Sequence, residues 1–218
     1  MWKGFLAGLV VANGFEWVAH KYLLHGTHRV GKPRYSPVPL SMKSHWEHHR
    51  EVRRQEFHDE SYVEGLPHWR TQNEVMSLLV AAGISSALFY PISKGMAAAA
   101  VYSACNYFYI HRRAHLEPEW AMKKIPWHYD HHMNANQDAN WCVTKPWFDY
   151  VLGTRVISAE NLQEQNPLGV KLPLFMASRL NLLSQRYFPA KWVEKGSSAV
   201  SNSKPNPIGE ATQSAELS

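Results

Sequence analysis

Apolar positions fall into three stretches, set apart by long polar ones. The first runs from Trp2 to Ala19, the second from Val75 to Tyr90 and the third from Met96 to Tyr109. The tight turn Pro91-Ile-Ser-Lys-Gly95 joins the last two into a helical hairpin. The second and third are short against the ~20 residues a helix needs to cross a bilayer. Helices can extend beyond the apolar run, so spanning stays open, with shallow or re-entrant insertion as the alternative. Polar sequence fills 26–73 and everything from His111 onward. The pattern therefore predicts an all-α protein: a membrane helical bundle carrying a histidine-rich helical cap. One domain is expected over 1–195. The Ser-, Asn-, Pro- and Gly-rich tail 196–218 lacks the apolar content to order itself and is expected to be disordered.

The start of the chain has the look of a secretory leader, with Lys3 ahead of a short apolar run. The apolar character resumes at Phe15, Trp17 and Val18 and leads straight into His20. The reading is a retained anchor. If all three stretches span, Lys3 and Lys94 lie on one side. All other members of the 23 Lys and Arg lie on the opposite side. By the positive-inside rule that side is cytoplasmic, and every clustered histidine shares it.

Composition adds little to this picture. The net charge of +5 is modest, and mean hydropathy is −0.38 because the regions outside the three stretches are polar. Nine Trp and ten Tyr suit a membrane interface as well as a packed core. Cys105 and Cys142 have no metal-knuckle or CxxC spacing, so neither is read as a ligand or as part of a disulfide framework.

The histidines change the picture. Ten of the thirteen fall into four clusters: His20 and His25; His45, His48 and His49; His111 and His115; and His128, His131 and His132. Imidazole is the commonest protein metal ligand, and ten exceed what one ion can use, so two ions are the simplest account. Residues at i, i+3 and i+4 share a helix face, so each HxxHH can converge on a site. His20 and His25 are about 140° apart on an ideal α-helix. They are expected at a helix end, with Gly26 as the left-handed terminator. There is no H-E-x-x-H and no E-x-x-H, which excludes the zincin and the soluble carboxylate-bridged di-iron patterns. No GxGxxG, P-loop, flavin, haem or iron–sulfur motif appears.

Candidate partners for the ligand rings are Glu16, one turn before His20; Glu47 and Asp130 inside the two HxxHH motifs; and Asp138 and Asn140 after the last one. Each could equally be an ordinary exposed polar residue. His28, His58 and His68 lie outside the clusters and are read as surface residues. His58, in Glu56-Phe-His58-Asp59-Glu60, is the best outsider.

In order, HxxxxH, HxxHH, a hydrophobic hairpin, HxxxH and HxxHH resemble the fatty acid hydroxylase superfamily of membrane di-iron oxidases, which includes sterol desaturases. The close Asn140-Trp-Cys-Val143-Thr144-Lys-Pro-Trp147-Phe-Asp149-Tyr-Val-Leu-Gly153-Thr154 is similar to that family's Val-Thr, Trp-Asp and Gly-Thr pattern. The resemblance covers about residues 15–156. Ala19 to Gly26 is also similar to carotenoid ring hydroxylases.

The resemblance implies two iron ions on the ten clustered histidines, with zinc able to replace them in recombinant protein. It implies O2 as co-substrate and hydroxylation of an alkyl, sterol-like or isoprenoid lipid. The same centre in a desaturase, or a non-redox membrane zinc protein, are the alternatives. Implied partners are the lipid, the membrane and an external donor of cytochrome b5, ferredoxin or rubredoxin type, with no nucleic acid. The basic residues Arg50, Arg53, Arg54, Arg112, Arg113, Lys123 and Lys124 could steer an acidic donor or contact lipid headgroups.

Overall fold

A computed structural model describes residues 1–26, 40–63 and 73–158, together with isolated positions between 176 and 201. The fold is mostly helical. Helix α1 (Trp2–Val18) passes without a break into a π-helical turn, Ala19–Leu24. Next come α2 (Leu40–Arg54), a 3-10 turn at Glu60–Tyr62, α3 (Asn73–Phe89) and α4 (Lys94–Leu116). Three short helices follow: α5 (Pro118–Lys124), α6 (Pro126–Met133) and α7 (Trp147–Val151). A small sheet was not expected. In it, β1 (Val156–Ser158) pairs parallel with β2 (Lys191–Val193), which pairs antiparallel with β3 (Val200–Ser201). Apart from β3, the tail expected to be disordered lies outside the described residues.

Two of the apolar stretches form α1 and α3, each of 17 residues, and the third begins α4. Among the described residues no helix is long and apolar enough to cross a membrane. The reason is plain in α4. It has 23 residues, but its last two turns carry His111, Arg112, Arg113 and His115, so the helix is apolar only in its first half. Helix α4 starts at Ser93, whose hydroxyl accepts from the Met96 amide at 3.3 Å. Helices α1 and α3 both pack on it. The α1–α4 crossing is close because it is built on glycine. A Cβ on Gly8 would stand 2.5 Å from the Ala99 Cβ, and one on Gly95 would meet the Met1 carbonyl oxygen.

The outer faces of these three helices are also apolar. Val80, Ile84 and Leu88 line up at four-residue spacing on α3 and are all more than half exposed. Leu6, Val10 and Phe15 on α1 and Tyr102 and Tyr109 on α4 extend the band. A helix apolar all round ordinarily has no face toward water. The compact core sits at the other end of the molecule. There Val52, Phe57, Ala114, Ala121, Ile125 and Trp127 pack together beneath the histidine clusters.

Prolines at the first positions of α5 and α6 supply the two breaks that turn the chain back after α4. They bring α6 beside α2. From Asn134 to Thr154 the chain forms a strap. Asp149 accepts the Trp141 and Cys142 amides at 2.8 and 2.9 Å and the Thr154 hydroxyl at 2.7 Å. Trp17 donates to Thr154 at 2.9 Å, and Asn13 to the Lys145 carbonyl at 2.9 Å, which ties the strap to α1.

Candidate metal centre

All ten clustered histidines converge at one end of α1 and α4, and each is at most 5% exposed. They sort into two groups. His20, His25, His45, His49 and His131 each offer a ring nitrogen within 4.8 Å of every other, as do His48, His111, His115 and His132. His128 joins the second group, its Nε2 3.2 Å from that of His115. We term these pocket A and pocket B. They abut, with the rings of His49 and His132 4.1 Å apart.

The division follows from helix geometry. In each HxxHH the first and last histidines are one turn apart and point the same way, while the middle one is offset around the helix. From α2, His45 and His49 therefore enter A and His48 enters B. From α6, His128 and His132 enter B and His131 enters A. Each pocket is completed by one flanking pair, His20 and His25 for A, His111 and His115 for B. The result is two five-imidazole pockets of matching plan, with each HxxHH lending one ring across.

The HxxxxH spacing is solved by the π turn rather than by the helix end alone. A π-helical bond links i to i+5, and the His25 amide donates to the His20 carbonyl at 3.0 Å. Residues five apart are thereby brought to one face, and the two rings are 5.2 Å apart. Gly26 follows with φ 62°, the left-handed terminator the sequence suggested.

Five of the ten outer nitrogens are held by fixed groups. Nδ1 of His131 donates to the Ala139 carbonyl at 2.7 Å and that of His115 to the Phe57 carbonyl at 3.0 Å. Nδ1 of His20 is held by the Trp141 carbonyl at 2.5 Å. Nδ1 of His48 lies 2.6 Å from Asp59, and that of His111 lies 2.9 Å from the Tyr62 hydroxyl. With Nδ1 carrying the proton, each Nε2 presents a lone pair inward. In pocket A the Nε2 atoms of His45 and His20, His45 and His49, and His49 and His131 are each 3.1 Å apart. In B those of His111 and His115 are 3.3 Å apart.

Burial keeps nine of the ten rings uncharged. It pushes the His20 imidazole down to about 4, against a smaller upward pull from the Trp141 carbonyl, and His25 down to about 2. His45, His49, His111, His115, His128, His131 and His132 are all held well below the ordinary histidine range, again chiefly by burial.

These residues fit metal ions. Two nitrogens each ~2.1 Å from one ion lie about 3.0 Å apart at a right angle and about 3.4 Å apart at the tetrahedral angle. The observed separations fall between these values. Uncharged lone pairs facing each other at that range repel, and a cation between them turns repulsion into bonding. Nε2 of His48 and of His132 are buried and have no hydrogen-bond partner, which leaves each free to ligate.

The candidate ring partners read from sequence fare differently. Glu16 accepts the Thr144 amide at 2.8 Å and hydroxyl at 2.7 Å, and also the Val143 amide, so it clasps the strap. Asp130 is paired with Arg155 at 2.8 Å, both fully buried. Asp138 is exposed, and Glu47 is exposed beside Lys43. Asn140 acts through its backbone. Its φ of 59° sits between the Ala139 and Trp141 carbonyls, which serve His131 and His20. Its Oδ1 accepts the Val156 amide at 2.8 Å and Arg155 at 2.9 Å.

Sequence reasoning missed Asp59, Tyr62 and the Phe57 carbonyl. Glu56 and Phe57 both have positive φ, at 50° and 80°, a strained turn of the kind found at functional sites. That turn aims Phe57 and Asp59 at pocket B. The segment had been singled out for His58, but its neighbour Asp59 is the residue that reaches the site. His58 lies near the surface beside Glu60, while His28 and His68 lie outside the described residues.

Of the basic residues proposed to dock a donor, four are engaged within the chain, Lys123 only with the exposed Glu119 at 3.8 Å. Arg53 donates to the His132 and Asn134 carbonyls, Arg112 to those of Tyr62 and Val63, and Arg113 pairs with Glu117 at 3.0 Å. Arg50, Arg54, Lys123 and Lys124 are exposed.

An apolar slot of about 340 Å³ lies between α1, α3 and α4 and reaches His20 of pocket A. No family model, curated protein or solved structure matches the chain.

Proposed function

We propose that the chain is a membrane-bound, O2-dependent oxidase that hydroxylates an alkyl C–H bond of a lipid, with iron in pockets A and B. The observation that carries this reading is the meeting of the slot with His20: an apolar guest would lie against one of two adjoining all-imidazole pockets. Bound iron would supply the one-electron chemistry and O2 activation that an unactivated C–H bond demands. The protein's part is positional and electrostatic. Imidazoles carry no negative charge, so they would leave the charge of bound ions uncompensated. Full burial of the rings keeps bulk water out. The carbonyls of Trp141, Ala139 and Phe57, with Asp59 and Tyr62, fix the ring tautomers and orientations.

The apolar outer band on α1, α3 and α4 supports residence in lipid, since exposed apolar patches of this extent mark membrane or partner contact. Insertion of one oxygen atom from O2 also takes two electrons and two protons from outside. The exposed Arg50, Arg54, Lys123 and Lys124 offer an acidic redox donor a landing surface.

The test has two arms. Mössbauer spectroscopy on protein purified anaerobically from its native host should show a pair of coupled irons. Lipid profiling of cells with and without the gene under 18O2 should show labelled hydroxyl oxygen in a lipid. An unlabelled new double bond would mean desaturation instead. Redox-silent zinc in both pockets, with no lipid change, would replace the oxidase with a zinc-binding protein.

A further inference from the structure

The shape of the slot says which way a guest must lie. Its far end is formed by Gly8, Phe89 and Met96, beside the α3–α4 turn, and its near end by His20, Ser77 and Tyr107. Between Gly8 and His20 α1 rises about 18 Å, and between Met96 and Tyr107 α4 rises about 16 Å, at 1.5 Å per residue. The slot therefore runs along the helix axes rather than across them. Its bore is set by small side chains, among them Ala12, Ala81, Ala82, Ala100 and Ala104. A slot that long, with alanines along its walls, suits one extended alkyl chain.

Polarity is placed unevenly. The ring of His20 lies at the near end, with the Glu16 carboxylate turned to the strap, while the far end offers Gly8, Phe89 and Met96, with no charged or ring-nitrogen group. Toward the far end the lining offers a headgroup only the Ser85 hydroxyl, and burying polar groups that lack partners costs several kcal/mol, on the order of 2–7.

We infer that the slot binds a single unbranched alkyl chain of an amphiphile, tail toward Phe89 and Met96, so that the carbon presented at His20 lies near the polar end. The chain's tail is measured against the floor at Phe89 and Met96. The inference rests on the proposed function only for what happens at that carbon, since the binding pose needs neither metal nor O2.

The experiment uses the full chain in lipid nanodiscs and two photoreactive fatty acids, one with a diazirine at the methyl end and one with it beside the carboxyl. After irradiation, the methyl-end probe should label peptides holding Phe89 or Met96, and the carboxyl-end probe those holding His20 to Leu24 or Tyr107. Ala100→Phe, placed one turn above Met96, should abolish methyl-end labelling at Met96 while labelling at the near end persists. Ala82→Phe, entering from α3, gives the same test should the first variant fail to fold. Reversed labelling overturns the inference. So does labelling confined to the outer residues Val80, Ile84 and Leu88, or a Met96 signal that neither variant reduces. Lipid oxidation without slot labelling would sink the pose and leave the oxidase standing. The expected labelling pattern without oxidation would do the opposite.

Discussion

Pockets A and B share a plan and differ in what stands behind them. Behind A are backbone carbonyls, Ala139 and Trp141, delivered by a strap that Asp149, Asn140 and Glu16 hold in shape. Behind B are side chains, Asp59 on His48 and Tyr62 on His111, with one carbonyl from a strained turn. Pocket A is thus built into the fold, and its outer contacts cannot be altered without disturbing the strap. Pocket B can be tuned residue by residue. A carboxylate on a ligand ring also raises that ring's basicity, so B should hold its ion more tightly than A, which faces the slot. Burial lifts the Asp59 carboxyl, yet its hydrogen bond and charge interaction with His48 outweigh this and keep it ionised.

Acid should have the largest effect, and it acts on both pockets. Metal ligation needs uncharged imidazole, so protons compete with the ions. In the metal-free protein, His20 titrates at about 4 and His25 at about 2 when folded, against 6.5 for an ordinary histidine. The unfolded chain takes up protons first as pH falls below 6.5. The stability that these two groups contribute is present above that value and is lost on the way down through about 4 and then about 2. Chemical denaturation of chelator-treated protein from pH 8 to pH 4 checks this, and a flat profile would contradict the burial described here.

Next in size is loss of one ligand. His131→Ala should empty A, and His48→Ala should empty B, with turnover lost in both. Metal analysis should find close to half the wild-type content in each. His58→Ala should leave metal content unchanged, since His58 lies near the surface beside Glu60.

The apolar stretches and the four histidine clusters could be read from the sequence because periodicity alone sets which helix faces they occupy. The sorting of the ten rings into five and five could not, since it depends on α2 and α6 lying side by side. The π turn was hidden too. HxxxxH looks mismatched on an α-helix, and only the extra residue in the turn reconciles it. Ring partners were sought among acids near the motifs, at Glu16, Glu47, Asp130 and Asp138. Three of the five outer nitrogens that have a partner are held instead by backbone carbonyls, which carry no sequence signature. Asp59 was within view, one residue from the histidine thought worth watching, but nothing in the spacing ties position 59 to 48. Whether the third stretch spans stayed open in the sequence, which does not show that its apolar half and its ligand half belong to one helix.

Smaller effects should separate the pockets. Asn140→Ala removes the acceptor for the Val156 amide and for Arg155 and places alanine at a positive φ. An unsatisfied buried donor costs about 1–3 kcal/mol. The melting temperature should fall, and A should lose metal along with it. Asp59→Asn keeps the shape and removes the charge. It should weaken B alone, by on the order of 10–100-fold, with little change in melting temperature of the metal-free protein. Competitive chelator titration of both variants is the check. Equal weakening of both pockets by Asp59→Asn would end the distinction between a pocket set by fold and a pocket set by side chains.

Tyr62→Phe should have the smallest effect. The ring is 1% exposed and packs face to face with His115 at 5.7 Å, an arrangement phenylalanine preserves. Only the hydroxyl beside His111 Nδ1 is lost. A neutral hydrogen bond contributes about 1 kcal/mol net, which corresponds to about fivefold in affinity. The His111 nitrogen would then be left without that partner inside the core, and its ring would be freer to rotate away from the ion. The expected result is a several-fold loss of metal from B, well short of that from Asp59→Asn, and an unchanged pocket A. A loss as large as that of Asp59→Asn would show that ring orientation, rather than ligand basicity, sets the affinity of B, and the charge of Asp59 would no longer be what distinguishes the two pockets.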